Sequence, residues 1–149
     1  MKLVIGCDHG AVELKDSVKA VISQEFPDIE LNDVGTFSGE SVDYPDIAEK
    51  VCAEIISGRS DRGIVLCGTG IGISIACNKV KGIRAVCCSD VKTAGLIREH
   101  NNAQIIAFGA RIIDNEQAFK LVDAFLNTPF SNGERHNRRI AMIHDIEER

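Results

Sequence analysis

The stretch from Gly63 to Ile75, GIVLCGTGIGISI, constrains this chain more than any other. Ile64, Val65 and Leu66 are consecutive apolar residues, two of them β-branched. That pattern predicts a strand buried on both faces, which is the habit of parallel sheets. Gly68, Gly70 and Gly72 follow at every second position around Thr69. Glycine lets a backbone turn sharply and lie bare against a ligand. From Ile71 to Val80 the apolar spacing predicts a packed helix. Cys67 therefore stands at the carboxyl end of a buried strand, beside N–H groups at a helix start. Such N–H groups and the helix dipole favour negative charge. The charge is a thiolate on Cys67 or an oxyanion developing on a substrate.

The rest of the chain repeats this unit. Strands are predicted at 2–7, 29–34, 83–87 and 104–108. Helices are predicted at 11–26, 44–57 and 90–99. A further helix, capped by Asp114 or Asn115, presents Ala118, Leu121, Val122 and Phe125 and breaks at Pro129. A last helix runs through Ile140, Ile143 and Ile146. Strand and helix alternating five times imply an α/β fold with a five-stranded parallel sheet covered on both faces. A length of 149 residues suits one domain, 1–149, around one core.

Net charge is −5, so electrostatics give no reason to expect nucleic acid or an anionic membrane as partner. No apolar run is long enough to span a bilayer or to read as a leader. Cys7, Cys52, Cys67, Cys77, Cys87 and Cys88 show no C-x-x-C spacing and mostly fall in apolar segments. Reduced thiols in the cytoplasm are the simplest reading. Apart from Cys67, the cysteines read as packing residues, with Cys7 also ending a strand. His9, His100, His136 and His144 lack metal-ligand spacing, so no metal site is expected.

Parallel sheets bind ligands outside the carboxyl ends of their strands. The polar residues there are Asp8 and His9, then Cys67 to Gly72, Ser89 and Asp90, and Arg111. Asp8 suits a helix cap as well as it suits a site, and His9 a surface position. His100 and Asn101 precede the fifth strand and belong to the opposite edge of the sheet, unless that helix end lies against a neighbouring chain. Arg135 and Arg139 are four apart and share one helix side, an arrangement that suits a phosphate. His136 and Arg138 then point elsewhere. The glycine string is not a dinucleotide fingerprint, because its sixth position is Ile73 and it follows the third strand. It fits an oxyanion cradle.

Several segments together resemble a known family. They are Gly6-Cys7-Asp8-His9, Asp43-Tyr44-Pro45-Asp46, Cys67 to Ser74, Glu99-His100-Asn101-Asn102, Phe108-Gly109-Ala110-Arg111 and Arg135-His136-x-x-Arg139. In this order, over nearly the full length, they resemble the type B ribose-5-phosphate isomerases, in the family shared with galactose-6-phosphate isomerase subunits. The resemblance implies a Rossmann-like αβα sandwich forming a homodimer, with a dimer of dimers as a further option. Each site would be lined by both subunits and would work without a metal or organic cofactor.

By resemblance, Cys67 moves a proton between C1 and C2 of the sugar. His100 opens the furanose ring with help from Asp8. Thr69 and the backbone from Gly68 through Gly70 and Ile71 to Gly72 hold the enediolate. His9, Arg111, Arg135 and Arg139 bind the phosphate, and Asn101 contacts the sugar. Some relatives use a glutamate base on the following helix; no acid stands at that position here, which favours the thiolate. Cys77 where alanine is common and Val12 where an aromatic is common are the departures. Two alternatives stay open: an isomerase of a six-carbon aldose phosphate such as galactose or allose 6-phosphate, and a non-catalytic sugar-phosphate or nucleotide-binding module.

Overall fold

The computed structural model describes residues 1–149. Five parallel strands, β1 (Lys2–Cys7), β2 (Glu30–Asp33), β3 (Arg62–Cys67), β4 (Ala85–Cys87) and β5 (Ile105–Gly109), form one sheet in the order β2-β1-β3-β5-β4. Six α-helices surround it: α1 (Val12–Glu25), α2 (Tyr44–Ile56), α3 (Ile71–Cys77), α4 (Val91–Glu99), α5 (Asn115–Asn127) and α6 (Glu134–Glu147). The expected five-stranded α/β sandwich is the fold.

Side chains alternate across a strand, and this sorts the core into two clusters. Leu3, Ile5, Ile64, Leu66, Ile106 and Phe108 pack against α1, α4 and α5 on one face. Val4, Val65, Ile105 and Ala107 pack against α2 and α3 on the other. Both faces of β3 are covered, so Gly63 to Cys67 are all buried. Each fully buried leucine or isoleucine there contributes roughly 1.5–3 kcal/mol. The chain leaves β1 for β2 on one side and returns to β3 on the other. The order reverses between β1 and β3, which places the ligand crevice between Asp8 and Cys67.

Three boundaries differ from those expected. A 3₁₀ turn at His9–Ala11 precedes α1, because Asp8 Oδ1 accepts the Gly10 N–H at 2.9 Å. Helix α3 stops at Cys77, short of Val80. Asn78 Nδ2 donates to the carbonyls of Ser74 and Ala85 at 3.0 and 2.7 Å, and so ties the helix end to β4. Strand β4 starts at Ala85, two residues later than expected. Gly82 has φ +87°, and Ile83 N–H still closes a turn onto Val80 O at 3.1 Å.

Helix α6 contains no buried residue. Polar contacts hold its carboxyl half near the start of β4: Gly82 N–H on the Glu147 carboxylate at 3.1 Å and Arg84 Nη1 on His144 Nε2 at 2.7 Å. No helix is long and apolar enough to cross a membrane.

Candidate active site

Cys67 ends β3 on the α2–α3 face, and its side chain is buried. The turn that follows curls back, so that the Gly70 N–H points at Cys67 Sγ from 3.1 Å. The sulfur is the acceptor in this bond. Thr69 Oγ1 caps the helix start by accepting the Ile71 N–H at 3.2 Å.

The glycines around Thr69 also serve the protein's own contacts. Gly70 has φ +79°, and a Cβ there would stand 2.7 Å from the Phe108 backbone. A Cβ on Gly68 would stand 3.2 Å from the Arg111 guanidinium. One on Gly72 would fall 2.6 Å from the Tyr44 ring and 2.8 Å from its hydroxyl. The glycine string thus draws Arg111 and Tyr44 onto the turn that carries Cys67.

Asp8 continues from β1 into the same crevice, with its N–H on Leu66 O at 3.1 Å. Its helix-capping role is real, and it uses only one carboxylate oxygen. His9 Nδ1 accepts the Val42 N–H at 3.2 Å, so Nε2 carries the proton free for another partner. Asp8, His9, Cys67 to Gly72 and Arg111 are therefore one group at the carboxyl end of the sheet. The largest cavity, about 930 Å³, runs past the far side of His9 toward Phe37 and Glu116 and does not contain Cys67.

His100, Asn101, Arg135 and Arg139 form a second group at the opposite end. Gly63 pairs with Ile105 and Cys67 with Gly109, so the two ends of β5 are four residues, or roughly 13 Å, apart. His100 lies beyond the amino end of β5, as expected from its place in the chain. Asn101 is held by its carbonyl, which accepts from Arg84 Nε at 2.9 Å. Arg135 and Arg139 project from α6 into solvent.

Two expectations fail here. His136 does not point away from the site: its ring stacks on His100 with centroids 4.4 Å apart. Cys87 is not a packing residue but is exposed, and its thiol reaches Thr69 O at 3.8 Å. Partial desolvation of its sulfur, with the nearby Cys67 and Cys88 adding to it, pushes the Cys87 thiol above the usual range. Strand β4 is an edge, so no neighbouring strand covers its last residue.

Residues 3–143 match the family model described as Ribose/Galactose Isomerase. The chain belongs to this isomerase family. The ribose-5-phosphate isomerase B of Escherichia coli is 43% identical over 99% of this chain and 97% of its own. The Clostridium thermocellum ribose-5-phosphate isomerase B structure matches at 46% identity with a TM-score of 0.95, covering 99% of this chain and 98% of that one. The ribose-5-phosphate isomerase of Thermotoga maritima matches at 50% identity and a TM-score of 0.92, over 97% of each chain. The Rossmann-like sandwich expected from the resemblance is thus the fold of solved isomerases.

Within this isomerase fold, sequence reasoning gave Tyr44 no role. The signal for it was Asp43-Tyr44-Pro45, a proline in the first turn of α2 just ahead of a helix that packs on the glycine turn. Its ring and hydroxyl lie over Gly72 in α3's first turn.

Proposed function

We propose that the whole chain, 1–149, acts as a cytoplasmic homodimer that interconverts D-ribose 5-phosphate and D-ribulose 5-phosphate. The observation that carries this reading is the Gly70 N–H donated to a buried Cys67 sulfur at the mouth of the strand-order switch. Proton abstraction next to a carbonyl needs a base poised near working pH. The Gly70 N–H, 3.1 Å away, holds the Cys67 sulfur at the strand end, where it can serve as that base.

The steps follow from the groups present. His100 moves the anomeric hydroxyl proton to the ring oxygen; the C1–O ring bond breaks and C1 becomes an aldehyde. The Cys67 thiolate then takes the proton from C2. The electron pair moves through C1–C2 onto the C1 oxygen and makes an enediolate. The Cys67 thiol returns the proton to C1, the C2 hydroxyl proton passes to the C1 oxyanion, and the ketose forms with no electron gained or lost. Within the Gly68–Gly72 turn, Gly70 and Ile71 donate to Cys67 Sγ and Thr69 Oγ1, which leaves the Gly68, Thr69 and Gly72 N–H groups for the developing oxyanion; donors so placed are worth roughly 3–4 kcal/mol each. His9, Arg111, Arg135 and Arg139 hold the phosphate, whose binding positions C1 and C2.

One chain cannot complete this site. The base and the ring-opening group act on neighbouring atoms of one sugar, yet Cys67 and His100 flank a strand end to end, roughly 13 Å or more apart. A second copy supplying His100, Asn101, Arg135 and Arg139 resolves this. The apolar faces that border both groups support it. Ile71 and Ile75 on α3 are 55% and 56% exposed, and Met142 and Ile146 on α6 are 58% and 60% exposed. All six cysteines are free, as a reducing compartment requires.

The test is deuterium uptake from heavy water at C2 of ribose 5-phosphate, alongside kcat/KM on five- and six-carbon aldose phosphates. Uptake that vanishes in Cys67→Ala supports the reading. Binding without uptake in the wild type, or a higher kcat/KM on the six-carbon substrates, overturns it.

A further inference from the structure

His136 is fixed from three sides. Its Nδ1 lies 2.9 Å from Ser131 Oγ, and Arg135 Nη2 lies 3.4 Å from its Nε2. A guanidinium only donates, so Nε2 accepts and the ring proton sits on Nδ1, donated to Ser131. Ser131 is itself tied to α4, with its N–H on Glu99 O at 3.0 Å. The third contact is the face of His100, 4.4 Å away and tilted by 37°. Glu99 and His100 from the end of α4, and Arg135 and Arg139 from α6, are the charged or titratable groups around it. Partial burial first, then His100 and the two guanidiniums, hold the His136 pKa below the usual histidine value, with Glu99 opposing. His136 is thus a neutral imidazole of one tautomer, laid against the group that opens the sugar ring.

We infer that His136 is a positioning residue for His100, holding its imidazole plane for ring opening and presenting a neutral π face to the imidazolium that forms. This rests on the isomerase reading above. A neutral aromatic face attracts a cation, whereas a charged one would oppose it. The inference separates two steps. Ring opening needs an aligned His100. Proton transfer between C1 and C2 needs Cys67 and the amide turn, which the same chain carries at the other end of the sheet.

Ribulose 5-phosphate separates the steps in one tube. Its 5-oxygen is esterified, so no hydroxyl can close a five-membered ring on the C2 carbonyl, and it is open-chain. Deuterium uptake at its C1 therefore reports proton transfer without ring opening. In His136→Ala, kcat on ribose 5-phosphate should fall about 10²-fold while C1 uptake in ribulose 5-phosphate stays within about 2-fold of wild type. His136→Phe, which restores a stacked neutral ring, should recover most of the lost kcat. His136→Asn, which keeps a donor for Ser131 but no ring, should show the same split as His136→Ala and serves if the alanine variant does not fold. An equal fall in both rates, or an unchanged kcat, overturns the inference. A wild-type enzyme that takes up no deuterium at C1 sinks the isomerase reading beneath it, whatever the variants do.

Discussion

Cys7 and Cys67 end neighbouring parallel strands, and both are almost fully buried, at 0% and 5% exposure. Their hydrogen bonds run in opposite directions. Cys7 Sγ donates to the Thr36 carbonyl at 3.8 Å, so it is a thiol. Cys67 Sγ accepts from Gly70 N–H at 3.1 Å. Burial pushes the Cys7 pKa up to about 11, although the Lys15 ammonium pulls it down. Being buried at a strand end therefore does not turn a sulfur into an acceptor. The turn that follows does, because only the Gly68-Thr69-Gly70 turn folds an amide back onto the sulfur.

The sharpest break in this comparison is Cys67→Ala against Cys7→Ala. Loss of the Cys67 sulfur should cut kcat by about 10²–10⁴-fold with KM little changed. Steady-state kinetics on ribose 5-phosphate, with a thermal melt as control, reads this out. Cys7→Ala should leave kcat near wild type. Comparable losses in the two variants would erase the distinction.

Next in size is the cluster behind Cys7. Lys15 is fully buried and donates to Asp33 Oδ1 at 2.8 Å and to Thr36 O at 2.6 Å, with its Nζ 4.4 Å from the Phe37 ring centre. Lys15→Met leaves Asp33 with the Lys19 ammonium and the Gly35 N–H, and the Thr36 carbonyl without its ammonium. Removing one partner of a buried pair costs about 3–5 kcal/mol, read by urea denaturation. The same variant should raise the Cys7 pKa further and leave the Cys67 turn untouched.

Gly70→Ala attacks the other side of the comparison. With φ at +79° and Phe108 2.7 Å from the new Cβ, the turn must shift, and the N–H leaves the sulfur. A side chain held at such a backbone conformation costs roughly 1–3 kcal/mol. Stability and kcat should fall together, and the alkylation rate of Cys67 near neutral pH should fall with them.

The difference between the two cysteines was partly legible in the sequence. The glycine string after Cys67 is local, and local features survive without tertiary information. So are the apolar runs and the capping residues Asp90 and Asp114, which is why the parallel sheet was readable. The face each cysteine occupies was not. Cys7 pairs with Leu66, so register places Cys67 one residue further and on the opposite side of the sheet. Tyr44 on Gly72 and His136 on His100 are long-range contacts, and no spacing within one helix encodes them. Pairing Arg135 with Arg139 by helical period turned His136 away from the site. Its actual direction depends on where α6 docks.

The smallest expected effect concerns acid. Burial alone would raise the Asp33 carboxyl, but the Lys15 and Lys19 ammonium groups outweigh it and hold the pKa below the usual carboxylate value. A carboxyl depressed in the folded state adds stability that is complete above its unfolded pKa and lost as pH falls through its folded one. Unfolding free energy should therefore drop below about pH 4, where the unfolded carboxyl titrates. Asp33→Asn should remove that part of the slope and lower stability at pH 7. The Cys7 thiol, at about 11, stays protonated throughout, so replacing it should not change the acid slope. If Cys7→Ala flattens the acid limb as Asp33→Asn does, the two groups share a charge that the hydrogen-bond directions deny.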